Sequence, residues 1–157
     1  MTASPDLLAA RFDDLIAAFN TETLDLPDGA LHRDCVFRLN GRAYHEHLGW
    51  PAGDPLIRLI GCGPAGYRLV VSRLRFALAS ARIRLDERTL RQDPGGAGRP
   101  LLVARGTVSG VLRGTDDRIA APCGFAIAGA SSGAIREIAV TLGDADLELL
   151  MAARLRP

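Results

Sequence analysis

The last third of the chain contains three apolar-rich segments that are separated by turn residues and followed by an amphipathic segment. The three segments read LLVARGTVSGVLRG, RIAAPCGFAIAGA and AIREIAVTL, and GDADLELLMAARL follows them. Short apolar runs joined by turn signals such as GTDD and SSG predict antiparallel strands connected by hairpins. The sequence therefore predicts a β-meander followed by a helix. A doubly wound sheet is disfavoured, because it needs a helix between consecutive strands.

Length and composition indicate one ordinary globular domain. A chain of 157 residues can bury a sizeable core, so we expect a single domain over residues 1–157. The net charge of +1 gives no electrostatic basis for binding nucleic acid or an anionic membrane. All 19 basic residues are arginine and they are scattered among acidic residues. This usage is typical of a GC-rich bacterial genome rather than of a basic tract.

The N-terminal segment and the cysteines predict a soluble, cytoplasmic protein. MTASPDLLAARF lacks the basic and apolar regions of a secretory signal, and no apolar run approaches the roughly 18 residues that span a bilayer. Cys35, Cys62 and Cys123 are odd in number, are far apart in sequence and form no CxxC motif. We expect reduced thiols and neither a disulfide framework nor a zinc ribbon.

The N-terminal half begins with a helix signal. Ser4 and Pro5 are suited to the N-cap and the first helical position, and apolar residues at helical spacing predict a helix over residues 5–20. A helical turn over residues 29–33 is predicted to lead into a strand, CVFRLNG, that stops at Asn40-Gly41. The following segment, RAYHEHLGWPAGD, is predicted to be irregular.

A second long helix is predicted to begin at Pro64. Its apolar stripe consists of Tyr67, Val70, Val71, Leu74, Ala77 and Leu78. The segment ARIRLDERTL then alternates apolar and charged residues, as a half-exposed strand does. DPGGAGRP is predicted to be the hairpin loop that leads into the meander.

One motif competes with this interpretation. Residues 61–66 read GCGPAG, a GxGxxG pattern, and Asp86 lies 20 residues after Gly66, as in a dinucleotide fingerprint. However, Arg58 interrupts the preceding apolar run PLIRLI, which a buried central strand would not tolerate well. We favour the simpler interpretation that Gly63 and Pro64 start a helix.

The order of elements and several loose motifs resemble the nuclear transport factor 2-like superfamily, specifically its SnoaL-like (polyketide-cyclase-like) and ketosteroid-isomerase-like members. GPAGYRLVVSRLRFAL is similar to a helix of these proteins, VARGTVSGVLRG to their strand ending in G-T-H-R-G, GFAIAGASSGAIREI to a hairpin, and GDADLELLMAARL to their C-terminal end. The resemblance implies an α+β, cystatin-like cone, with a strongly curved, mostly antiparallel sheet around a long N-terminal helix. It also implies a small apolar ligand in the cone and a homodimer, without a cofactor.

The chain departs from the family pattern at two positions that often carry chemistry. Leu112 stands where the G-T-H-R-G sequence has histidine. Cys123 stands where cyclase-like members commonly place an aspartate, two residues before the aromatic residue that matches Phe125. A cysteine cannot simply replace a carboxylate as a proton shuttle at neutral pH. The usual proton-transfer mechanism therefore lacks its expected residues here.

The densest cluster of titratable side chains offers an alternative catalytic group. In an extended segment, His45 and His47 would share one face, with Tyr44 on the other. Dehydratase-like members use an Asp/His pair with the Asp after the first helix, so the resemblance makes His45 and Asp25 the catalytic candidates. The alternative is that these histidines belong to a solvated loop. Two histidines without a third ligand do not define a metal site.

Other residues are candidates for the lining of a pocket. Besides Tyr44 and His47, these are Trp50, Thr107, Cys123 and Glu137. Sequence alternation does not tell whether the face with Thr107 or the face with Cys123 points inward. Two functions stay open: cofactor-free isomerase, dehydratase or cyclase chemistry on a small apolar molecule, and a non-catalytic module for ligand binding or dimerisation.

Overall fold

A computed structural model describes residues 4–92 and 99–154 of the chain. Its elements, in order, are α1 (Pro5–Asn20), β1 (Leu31–Leu39), β2 (Arg42–Ala43), α2 (Tyr44–His47), α3 (Pro55–Ile60), α4 (Gly63–Ala77), β3 (Leu78–Gln92), β4 (Pro100–Leu112), β5 (Arg118–Gly129), β6 (Ile135–Leu142) and α5 (Asp144–Arg154). Most of the predicted hairpin loop DPGGAGRP, residues 93–98, lies outside the described residues.

The strands form one six-stranded, curved sheet in the order β2-β1-β6-β5-β4-β3. All neighbouring pairs are antiparallel except β1 and β6, which are parallel. Register shifts in β3, between Ala79 and Arg82 and between Leu85 and Glu87, mark bulges that bend and twist a strand. The predicted meander, the C-terminal helix and the α+β class with a mostly antiparallel curved sheet are confirmed.

Helix α1 packs across the concave face of this sheet, as the sequence predicts for the N-terminal helix. Ser4 caps the helix by accepting a hydrogen bond from the Asp6 amide. Phe12 is fully buried, and its ring centroid lies 5.6 Å from that of Phe125 on β5. At the helix end, the Asn20 amide donates to the Ile83 carbonyl and accepts from the Ile83 N–H, both at 2.8 Å. These contacts fix the helix against both the middle and the edge of the sheet.

The predicted helical turn over residues 29–33 is wrong, because β1 already begins at Leu31. The Ala30 carbonyl accepts a hydrogen bond from the Ile135 amide, so pairing with β6 holds this segment extended. The predicted stop at Asn40-Gly41 is confirmed, since both residues have positive φ, 50° and 81°. The pairing of β1 with β6 joins segments about a hundred residues apart, and the local periodicity of the sequence does not detect such a contact.

The segment predicted to be irregular and the GCGPAG motif also have defined structures. β2 and α2 lie within the irregular segment, and PLIRLI forms α3, capped by the Asp54 side chain. GCGPAG therefore joins two helices, and the strand that a dinucleotide fingerprint requires before its first glycine does not occur at residues 55–60. Among the described residues, no helix is long and apolar enough to span a membrane.

Packing explains the glycine that starts α4. Gly63 has a φ of +63°, and a Cβ there would lie 2.3 Å from the Arg33 carbonyl oxygen of β1. Only glycine combines this backbone conformation with so close an approach. Gly63 of the GCGPAG motif thus allows α4 to pack closely against the backbone of β1.

We expect Gly63→Ala to destabilise the protein by about 2–3 kcal/mol, because it adds left-handed strain and a clash with backbone. Gly124→Ala is the matched control: Gly124 has no positive φ, and a Cβ there would meet nothing closer than the Thr141 Cβ at 3.9 Å. Urea unfolding of both variants measures the difference. Equal changes in unfolding free energy would contradict the proposed role of Gly63.

Candidate functional site

A cavity of about 160 Å³ lies between the helices and the concave face of the sheet. Its wall consists of side chains from α1, α4 and α5 on one side and from β1, β3, β4, β5 and β6 on the other. The apolar side chains of this wall include Phe19, Phe37, Val71, Val108 and Phe125. A cavity of about 150 Å³ lined by similar residues holds a benzene molecule. The space therefore suits one ring or a short branched chain.

Few polar groups contribute to the wall. The charged and hydroxyl-bearing residues among the described lining residues are Arg38, Tyr44, Tyr67 and Arg73, and none of these residues carries a carboxylate or an imidazole. Arg38 alternates with the inward-facing Phe37 on β1, and its guanidinium pairs with Glu137 at 3.5 Å. The Arg38 side chain is thus on the outer face of the sheet.

Tyr67 is the residue that gives this apolar wall a polar group without a partner. Its side chain is 4% exposed, and its hydroxyl has no hydrogen-bond partner among the described residues. Burial raises the pKa of the Tyr67 phenol, and the nearby Arg75 charge offsets only part of this effect. The hydroxyl is therefore a neutral donor at physiological pH. Tyr44 also lines the cavity, but it interacts with another group of the protein.

The two predicted catalytic residues lie apart from this cavity wall and are not joined to each other. The Asp25 carboxylate is exposed and pairs with the Arg68 guanidinium at 2.7 Å. His45 lines a separate surface depression of about 500 Å³ together with Asp54 and Arg58. The structure gives no hydrogen bond between Asp25 and His45 in the described residues.

The remaining predicted residues of the loop occupy the start of α2 and its surroundings. Residues 44–47 form a helical turn, so the extended arrangement that would place both histidines on one face does not occur. The His47 Nε2 lies 2.7 Å from the Leu39 carbonyl oxygen, which ties α2 to the end of β1. Trp50 is half-buried, and its backbone N–H donates to the His45 carbonyl. Only Tyr44 of this group is among the described lining residues of the cavity.

On the meander, burial tells which strand face points inward. Val108, Cys123 and Phe125 are buried against the core, whereas Thr107 alternates with them and lies half-buried on the outer face. Burial raises the pKa of the Cys123 thiol to about 11, so this thiol is protonated at neutral pH. Cys123 therefore lacks the acid–base capacity of the aspartate that the resemblance would lead us to expect at this position. Glu137 is half-exposed beside Arg38.

The residue missed as a candidate is Tyr67. Its position in the apolar stripe of the second long helix predicts burial but not the lack of a partner for its hydroxyl. The Tyr67 hydroxyl is the one polar side-chain group in that stripe, and this is the signal that could have identified Tyr67 as a candidate. The described residues contain no cluster of three or more His, Cys, Asp or Glu side chains suited to a metal ion.

No family model matches the chain, and no curated protein matches it significantly. Solved structures match its fold over most of its length. An unconfirmed SnoaL-like polyketide cyclase from Jannaschia sp. CCS1 is similar with a TM-score of 0.64 at 12% identity, over 100% of this chain and 99% of that one. An uncharacterised cystatin-fold protein from Novosphingobium aromaticivorans matches with a TM-score of 0.58 at 11% identity, over 89% and 97%.

A third similar structure is a hypothetical protein from Catenulispora acidiphila with a ketosteroid isomerase-like fold, in complex with trimethylamine. Its TM-score is 0.63 at 9% identity, over 94% of this chain and 97% of that one. The fold implied by the resemblance to SnoaL-like and ketosteroid-isomerase-like proteins, the cystatin-like cone, is therefore confirmed. Identities this low establish the fold and leave the function to the residues of the site.

We expect Tyr67→Phe to stabilise the ligand-free protein by roughly 1–2 kcal/mol, because it removes a buried donor that has no protein partner. Tyr44→Phe is the comparison: it also removes a hydroxyl from a residue of this wall, but Tyr44 already interacts with another group. We expect this change to be neutral or destabilising. Denaturant unfolding of both variants measures these effects. A loss of stability in Tyr67→Phe would mean that the hydroxyl has a structural partner.

Proposed function

We propose that the protein binds one small, largely apolar molecule in the cavity and that the Tyr67 hydroxyl donates a hydrogen bond to it. The observation that carries this proposal is that Tyr67, a residue of a largely apolar wall, has a buried hydroxyl without a partner among the described residues. Leaving such a donor unpaired costs about 1–3 kcal/mol of stability. A ligand with an acceptor atom removes that cost, and its apolar body gains from leaving water.

The composition of the wall supports binding more directly than it supports proton chemistry. General acid–base catalysis needs a titratable group within hydrogen-bonding reach of the reacting atom. The described lining residues supply phenols and guanidinium groups but neither a carboxylate nor an imidazole. A ligand-binding role also agrees with the fold, since the Catenulispora acidiphila protein of this fold is in complex with a small molecule.

Isomerase, dehydratase or cyclase chemistry with His45 and Asp25 stays a prediction that the resemblance makes. It would require His45 to leave its depression beside Asp54 and Asp25 to leave Arg68. One structure of similar fold, from Jannaschia sp. CCS1, is named a SnoaL-like polyketide cyclase, and that name implies such chemistry for that protein. Saturable turnover of an enolisable ketone that is abolished in His45→Ala would support it here.

Two ligands of equal shape test the binding proposal. Cyclohexanone and methylenecyclohexane differ in one oxygen, so we expect only cyclohexanone to use the Tyr67 hydroxyl. Tyr67→Phe should weaken cyclohexanone binding about fivefold and leave methylenecyclohexane binding unchanged or stronger. Titrations followed by amide chemical shifts in the NMR spectrum measure both affinities.

A cavity-filling variant is the control for the location of the ligand. Val108→Phe places a ring in the cavity and should weaken both ligands, whereas Val111→Phe on the outer face of the same strand should not. Binding that is unaffected by Val108→Phe would contradict the proposed site. An equal loss of both ligands in Tyr67→Phe would contradict the proposed hydrogen bond.

We also propose that two copies pair through the outer face of the sheet, as the resemblance implies. On β5 this face carries small residues: Ala120, Pro122, Gly124, Ala126 and Ala128. Small, apolar residues allow two sheets to approach closely and bury apolar surface.

We also propose a reducing compartment, such as a bacterial cytoplasm, as the location of the protein, because its three cysteines are free.

We expect Ala126→Arg to convert the dimer to a monomer, because it introduces a charge at the centre of this face. Ala152→Arg adds the same charge on the exposed side of α5 and should leave the dimer intact. Sedimentation velocity measures the oligomeric state of both variants. A wild-type protein that is monomeric at tens of micromolar would contradict the proposal.

A further inference from the structure

Three arginines of α4 differ in what they bind. Arg68 pairs with Asp25, and Arg75 donates to the Phe19 carbonyl at 2.9 Å while its guanidinium lies 5.6 Å from the Phe19 ring centroid. Arg73 lines the cavity but is exposed, and it has no hydrogen bond or ion pair within the described part of the chain. Its methylene groups can cover the apolar wall while the guanidinium stays in water.

The charged side chains among the described lining residues are both arginines, Arg38 and Arg73. No acidic side chain is among the described lining residues, and Glu137, the acid paired with Arg38, belongs to the outer face of the sheet. Arg73 therefore supplies a positive charge at the border between the apolar wall and solvent, and no acid of the wall neutralises it. A guanidinium is protonated at any physiological pH and its planar fork matches a carboxylate.

We infer that the ligand is a small amphipathic anion, with an apolar body of about one ring inside the cavity and a carboxylate bound by Arg73 at the opening. The inference rests on the proposed function and adds the charge of the ligand to it. A neutral molecule would leave the Arg73 guanidinium without a role in binding. A cation would be repelled by it.

Three probes of nearly equal shape separate the effect of charge from the effect of the ring. Benzoate is an anion, nitrobenzene is neutral and benzamidine is a cation. We expect the wild-type protein to bind benzoate about fivefold more tightly than nitrobenzene, a difference typical of one exposed ion pair, and benzamidine most weakly. Amide chemical-shift titrations at low ionic strength measure the three affinities, and added salt should reduce the preference for benzoate.

Arg73→Gln should remove the preference for benzoate over nitrobenzene and leave nitrobenzene binding unchanged. Arg118→Gln is the matched control, because Arg118 is exposed at the start of β5, is not among the described lining residues and contributes the same charge. A preference for benzoate that survives in Arg73→Gln, or that falls equally in Arg118→Gln, would overturn the assignment to Arg73.

The probes also distinguish the failure of this inference from the failure of the proposed function. If nitrobenzene binds the wild-type protein as tightly as benzoate does, and Val108→Phe abolishes both, the cavity binds small molecules but does not select anions. If none of the three probes binds, the proposed function itself fails. If benzoate binds and Val108→Phe has no effect, Arg73 binds anions outside the proposed site.

Discussion

The packing of α1 against the concave face of the sheet determines the rest of this structure. A strongly curved sheet exposes a large apolar face, and Phe12, Leu8 and their neighbours on α1 cover its central part. Contact between the rings of Phe12 and Phe125 connects the helix to the middle strand of the meander. Helix α4 covers the side near β1, where Gly63 approaches the Arg33 backbone. The cavity is the part of the concave face that neither helix fills.

The way in which the cavity is closed explains its composition. Strand alternation sends Val108 and Phe125 inward, and the helices present their apolar stripes to the same space. Most positions that face this volume belong to the core or pack against it, so stability alone favours apolar residues there. A hydroxyl that remains unpaired at such a position, as in Tyr67, opposes stability. Residues that break the local rule in this way are expected at functional sites.

Local signals in the sequence were sufficient for most of the fold. The Ser4 cap, the apolar spacing of α1, the stripe of α4 and the alternation of the meander each depend on neighbours in sequence. The start of β1 at Leu31 depends on pairing with Ile135, and no local sequence pattern predicts that contact. PLIRLI is helical because Asp54 and Pro55 begin a helix, although its residues also suit a strand. Such ambiguity is usual for short apolar runs.

The site was less predictable than the fold, because its properties depend on partners rather than on residue types. His45 and Asp25 are suitable for acid–base chemistry as residues, yet His45 lines a surface depression away from the cavity and Asp25 pairs with Arg68.

The sequence offers only a weak signal for Tyr67, the one polar residue of its stripe, and none for Arg73, which is one of 19 basic residues, all of them arginine. Tyr67 is distinguished by a hydroxyl without a partner among the described residues, and Arg73 by its place in the cavity wall; both properties exist only in three dimensions. Under the proposed function, we expect an apolar wall with the unpartnered Tyr67 hydroxyl and the Arg73 guanidinium, as the described residues form it, to select a ligand by the position of its polar atoms. Its size limits the apolar part to about one ring. Because Tyr67 and Arg73 both belong to α4, we expect substitutions on this one helix to change what the proposed site binds, while α1 and the meander maintain the cone.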